Sequence, residues 1–182
     1  MGTLTLTDGG TDMSLHKQWA VFAILVRALT YGTLFVGVVL VYLPGSALEW
    51  SGVARPYQFG PWQMAGVVVG TAGAAIALWS ILSFILVGRG TPAPFDPPRR
   101  LVVRGPYTYV RNPMYCGASL ALGGAALYYE SGALLAYLVL FILVAHLFVV
   151  FYEEPTLARL FDGDYDRYRA RVPRWRPTAR GL

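Results

Sequence analysis

Four apolar runs divide the chain, at residues 19–43, 61–87, 114–129 and 133–152, and polar segments separate them. As a helix the first run would reach about 38 Å at 1.5 Å per residue, beyond the roughly 30 Å hydrocarbon core of a bilayer. Arg27 interrupts it. Either the span starts near Arg27, with residues 15–26 in the interface, or the arginine snorkels from the first turns. Pro44-Gly45 is expected to end this helix. The second run opens on Pro61, suited to a first helical position, and Gly88 stops it. Its Gly66, Gly70, Gly73 and Ala74 fall on one face, the spacing of a close helix–helix contact. Gly117, Gly123 and Gly124 imply the same of the third run. The turn Glu130-Ser131-Gly132 is short, so the third and fourth runs should form a tight antiparallel hairpin. Residues 1–14 have no periodicity and read as a flexible tail. The pattern predicts an all-α integral membrane protein, a single domain with about four, or five, transmembrane helices.

Composition agrees with that pattern. The chain is 55% hydrophobic and only 14% charged, against roughly 25% charged in soluble domains. Its net charge of +5 raises the question of a nucleic-acid partner, and placement answers it. Twelve of the fifteen basic residues lie at or after Arg89, between or beyond the apolar runs. With four spans, Lys17, the five arginines of residues 88–113 and the seven of the tail share one side. Only Arg55 falls opposite. This is how membranes orient helices, with positive charge inside, so both termini are expected in the cytoplasm and no nucleic acid is implied. The lone Cys116 reads as a small packing residue, since no base accompanies it.

Two polar clusters stand out from this apolar background. Residues 104–115 hold two arginines, two prolines and three tyrosines. They follow a proline-rich loop (Pro92, Pro94, Pro97, Pro98) that cannot be helical. Glu153-Glu154 ends the last apolar run, and a polar tail follows with an amphipathic helix expected over residues 155–172. In an antiparallel hairpin, Tyr115 and Glu153 lie at the same end. Arg111, Asn112, tyrosines and carboxylates would then line one pocket at the cytoplasmic membrane surface. Such a pocket suits a zwitterionic cofactor with a ribose and an aromatic base: carboxylates accept from hydroxyls or ammonium, arginine pairs with carboxylate, tyrosine stacks or donates. Each residue taken singly reads as a juxtamembrane anchor; the constellation carries the functional reading. His146 precedes Glu153 by seven residues, the wrong spacing for a metal pair, and no metal is expected. A hydrogen bond between helices is its first reading and ligand contact its second.

Arg104-Gly105-Pro106-Tyr107, Arg111-Asn112-Pro113-Met114-Tyr115-Cys116-Gly117, Glu153-Glu154, residues 161–168 and Val172-Pro173-Arg174 resemble the isoprenylcysteine carboxyl methyltransferase family. That family's bacterial members and the related phospholipid N-methyltransferases share this pattern. The resemblance covers about half the chain. It implies a bacterial inner-membrane enzyme dependent on S-adenosylmethionine, methylating a lipophilic acceptor that enters from the bilayer. Residues 15–87 would supply N-terminal helices, and residues 88–182 the catalytic, cofactor-binding region. By similarity Arg99, Arg100, Leu101, Val102, Tyr107, Asn112, Pro113, Met114, Tyr115 and Glu153 would contact the cofactor, with His146 beside them. Arg111 and Glu154 would be catalytic, with Glu154 or a substrate phosphate taking the proton where the acceptor is an amine. Eukaryotic members carry histidine in place of Asn112, and a substrate-binding arginine in place of Val149, so a prenylcysteine acceptor is not settled. Two rival readings remain. One is a membrane sterol or enone reductase using NADPH, which shares a Gly-Pro-Tyr…Arg-x-Pro-x-Tyr pattern. The other is a non-enzymatic accessory protein of the kind associated with nitrogen-oxide metabolism.

Overall fold

A computed structural model describes residues 33–53, 56, 58–88 and 100–177, with single positions at 19, 22, 26 and 30. All regular structure among the described residues is helical. Helix α1 spans Thr33–Trp50, α2 Pro61–Gly88 and α3 Pro113–Tyr129; α4 runs over Gly132–Phe148, and α5 over Glu154–Arg171. A π-helical turn, Val149–Glu153, joins α4 to α5 without a break, giving a helical run over Gly132–Arg171 that is kinked at Asp162. Among the described residues, three helical runs (α1, α2 and the α4–α5 run) are long and apolar enough to cross a membrane. The fourth, α3, has 17 residues and reaches only about 26 Å at 1.5 Å per residue. Large apolar side chains such as Val68, Leu82, Leu86, Val139, Leu143 and Phe151 face outward from these helices. Lipid is the solvent that such a surface matches.

The first helix corrects the expected stop at Pro44-Gly45. Helix continues through both residues to Trp50, and Pro44 is buried. The chain is π-helical over Val36–Tyr42, and the Leu43 amide donates five residues back, to the Val38 carbonyl. In that register residue 44 would donate to Val39, but proline has no N–H. The Tyr137 hydroxyl of α4 donates to the Val39 carbonyl instead, at 2.7 Å. An outside donor thus satisfies the backbone group that Pro44 leaves bare.

The glycine faces meet as expected. Gly66 opposes Gly124 and Tyr128, while Gly117 opposes Gly73 and Ala77, so α2 and α3 run antiparallel in close contact. A Cβ on Gly66 would come within 2.6 Å of the Gly124 carbonyl oxygen, and one on Gly117 within 2.5 Å of the Ala77 nitrogen. Backbone stands where any side chain would go, which is why small residues are needed here. Gly123 differs: it faces the end of Leu138 at an ordinary 3.5 Å. The α3–α4 hairpin forms around Glu130, whose φ of 49° ends α3, and Ser131, whose hydroxyl accepts from the Leu134 amide. Ala118, Leu122 and Phe141 make its core, with Val39 and Leu40 of α1 packed on them.

Candidate functional site

At the end of the bundle where α2 stops and α3 starts, residues 100–112 cross over toward α5. Gly105, at φ 61°, lies so close to α2 that a Cβ would come 2.8 Å from the Ser83 hydroxyl. This contact seats a 3-10 turn, Gly105–Thr108, which buries Pro106 and Tyr107. The Tyr168 hydroxyl of α5 donates to the Tyr107 carbonyl at 2.7 Å. Beyond the turn, the Arg111 amide donates to the Pro173 carbonyl at 3.0 Å, and Asn112 Nδ2 donates to the Arg174 carbonyl at 3.3 Å. The segment after α5 is thereby strapped across the start of α3. Pro113, fully buried, then opens α3.

The two adjacent glutamates face different partners. Glu154 sits between two arginines: Arg111 Nη1 is 2.8 Å away, and Arg174 grips both carboxylate oxygens, at 2.7 and 2.8 Å. That bidentate fork is the strongest form of the pair, and the hydrogen bond to Glu154 raises the Arg174 pKa further. Arg111 Nη1 also donates to the Tyr165 hydroxyl at 3.1 Å. Glu153 turns instead toward α3, accepting from the Tyr115 hydroxyl at 3.4 Å. Both glutamates belong to one continuous helical run rather than to a helix end, so the dipole penalty expected of a C-terminal carboxylate does not arise. Burial, and then the nearby Glu153 and Tyr168, pushes the Tyr107 phenol well above its usual range. It stays a neutral O–H.

Tyr107, Arg111, Asn112, Tyr115, Glu153 and Glu154 are therefore gathered at one end of the molecule. His146 reaches the same place by another route. Its Nδ1 accepts from the Trp175 indole N–H at 3.1 Å. Both rings, with Tyr115 and Cys116, line a cavity of ≈ 470 Å³ walled by Val139 and Leu143. Val102 is buried within the crossing segment and Met114 is half-buried in the first turn of α3. Arg100 and Leu101 diverge from the group, lining a separate groove beyond Tyr168. Arg99 lies outside the described residues.

Sequence reasoning passed over Arg174, Trp175, Tyr165 and Tyr168 as site residues. The tyrosines had a signal, since 165, 168 and 172 share a helical face and make a small buried cluster with Val172. Arg174 stands in the Val172-Pro173-Arg174 motif but with no partner legible, and Trp175 had no signal, because each acts on a partner 20 or more residues away.

Helices fit to cross a membrane, with an arginine–glutamate–tyrosine cluster at the end of a hairpin and an apolar cavity beside it, define a membrane protein with a polar site at that end. The family described as phospholipid methyltransferase matches residues 62–164, more than half of the chain. The chain belongs to that family. Neither the curated proteins nor the solved structures yielded a match.

Proposed function

We propose that the Tyr115–Glu153–Arg111 cluster binds S-adenosylmethionine and that the chain methylates a lipophilic acceptor reaching it from the bilayer. One observation carries the reading: Tyr115, which donates to Glu153, also lines the ≈ 470 Å³ cavity, whose Val139 and Leu143 wall is exposed on the apolar outer surface of the bundle. Water-soluble and lipid-soluble reactants can meet there.

The residues fit the cofactor. Arg111 Nε is buried and has no acceptor among the described residues, a costly vacancy for a charged donor. A ligand carboxylate there would complete it. Glu153, held by Tyr115, accepts from ribose hydroxyls or an ammonium group, while Tyr107 stays a neutral donor. Asn112 and Pro113 fix the start of α3, and Val102 and Met114 shape the walls. S-adenosylmethionine supplies an electrophilic methyl group on a sulfonium. The protein's contribution is positioning in a place that excludes water, and an amine acceptor would give up its proton to its own phosphate or to water.

Both oxygens of Glu154 are engaged by arginines, so it serves as the clasp that closes the strap rather than as a base. Arg111 joins clasp to ligand. Val149, where eukaryotic prenylcysteine enzymes carry arginine, is fully buried, and it offers no cation to an acceptor carboxylate. That favours a lipid amine over a prenylcysteine. The positive-inside distribution of the arginines supports a cytoplasmic location for this end of the bundle.

Purified protein in nanodiscs, given methyl-labelled cofactor and lipid extract separated by headgroup class, tests the reading. The expected result is label in an amine-bearing lipid fraction. Absence of label in every lipid fraction, with NADPH consumed instead, would establish the reductase reading in its place.

A further inference from the structure

A second polar site lies beyond Tyr168. The hydroxyl of Tyr168 is bonded to the Tyr107 carbonyl on one side. Its other side forms part of a groove of ≈ 720 Å³, between residues 100–103 and the last turns of α5. Asp162, at φ 40°, breaks the helical path of α5. Beyond this kink Asp164, Arg167 and Arg171 share one face, by their spacing of three and four residues, and that face lines the groove opposite Arg100.

The groove is strongly cationic. Its one carboxylate, Asp164, is already paired with Arg167. Arg100 and Arg171 have no ion-pair partner among the described residues. Leu101, Val103 and Phe161 form an apolar wall under the arginines. Two uncompensated guanidinium forks converge on the same space, at the end of a membrane helix where headgroups lie. Planar guanidinium matches phosphate oxygens in pairs. The apolar wall accommodates the carbon skeleton that carries the phosphate. A solvated arginine face would need neither the wall nor the helix break beyond which Arg167 and Arg171 line the groove opposite Arg100.

We propose that this groove is a phosphate-binding site, distinct from the methyl-transfer centre, for a phosphate group carried by an anionic lipid or free in solution. Neither the cofactor nor the methyl acceptor is needed for it, so it stands or falls separately from the proposed reaction.

The test uses the full chain in detergent without cofactor, titrated calorimetrically with dihexanoyl phosphatidylglycerol, dihexanoyl phosphatidylcholine and inorganic phosphate. The anionic lipid should bind, and the zwitterionic lipid at least tenfold more weakly. The double substitution Arg167→Gln with Arg171→Gln should weaken the anionic lipid tenfold or more. Both side chains are exposed, so folding should survive, and an unchanged melting curve checks it. Arg159→Gln, on the same helix outside the groove, should bind as the parent does. Inorganic phosphate that displaces the lipid assigns the site to free phosphate; failure to displace assigns it to the headgroup. Equal binding of both lipids, or a double variant that binds like the parent, would overturn the proposal.

Discussion

The two ends of the α2–α3–α4 bundle are held in opposite ways. At the end near Gln63 the contacts are few, mostly neutral and local to the bundle. The buried Gln63 side chain donates to the Tyr128 carbonyl at 3.2 Å and to Glu130 at 2.8 Å, and accepts from the Gly60 amide. From there the glycine seam runs to the other end with backbone against backbone. At the Glu154 end, four charged side chains, four tyrosines and a strap from outside the bundle converge. The first end looks like a protein fastening its helices. The second contains more charge than fastening requires, and one buried donor, Arg111 Nε, has no acceptor among the described residues. The difference teaches where to look for a ligand: at the end whose polar groups do not balance among themselves.

That contrast can be broken at either end. The largest effect is expected in the seam. Gly124→Val drives a side chain into the α2 backbone at Gly70, which cannot yield as a flexible side chain would. Overpacking of this kind costs about 3 kcal/mol or more, and size-exclusion profiles should show loss of monodisperse protein. Next comes Glu154→Gln, which leaves Arg111 and Arg174 facing each other without an anion. Breaking a buried pair costs roughly 3–5 kcal/mol, and the partial exposure of Arg174 places this case near the lower limit. Denaturant unfolding measures it, and protease cleavage after Pro173 should accelerate as the strap loosens.

Gln63→Leu is smaller again, about 1–2 kcal/mol, for the acceptors it leaves unpaired. It should lower stability without touching ligand binding, which sharpens the contrast between the ends. Smallest is Trp175→Phe, which keeps an aromatic ring but removes the N–H held by His146. The loss is about 1 kcal/mol, visible as a shift in the histidine ring resonances of labelled protein.

The chain shows unevenly how much of this can be read from residues alone. The helical hairpin, the glycine faces and the meeting of Tyr115 with Glu153 follow from run lengths and small-residue spacing, because lipid forces every backbone group into helix. The continuation through Pro44 does not. It depends on a π turn and on a hydroxyl from Tyr137, nearly a hundred residues on, and neither leaves a local signature. The two glutamates were legible as a pair but not as two partners of different kind. Their division arises from a π turn just before Glu154, and from Arg174 arriving by way of a kink at Asp162. Arg100 and Leu101 adjoin the site in sequence and leave it in space, because Tyr168 stands between.

The central claim is that the Glu154 end binds the cofactor and the Gln63 end only holds the helices. Calorimetric titration with S-adenosylhomocysteine, on the parent, Glu153→Gln and Gln63→Leu proteins, tests it most directly. The account predicts binding to the parent and to Gln63→Leu alike, and at least tenfold weaker binding to Glu153→Gln at an unchanged melting temperature. Equal binding by Glu153→Gln, or binding of NADPH with none of S-adenosylhomocysteine, would contradict it.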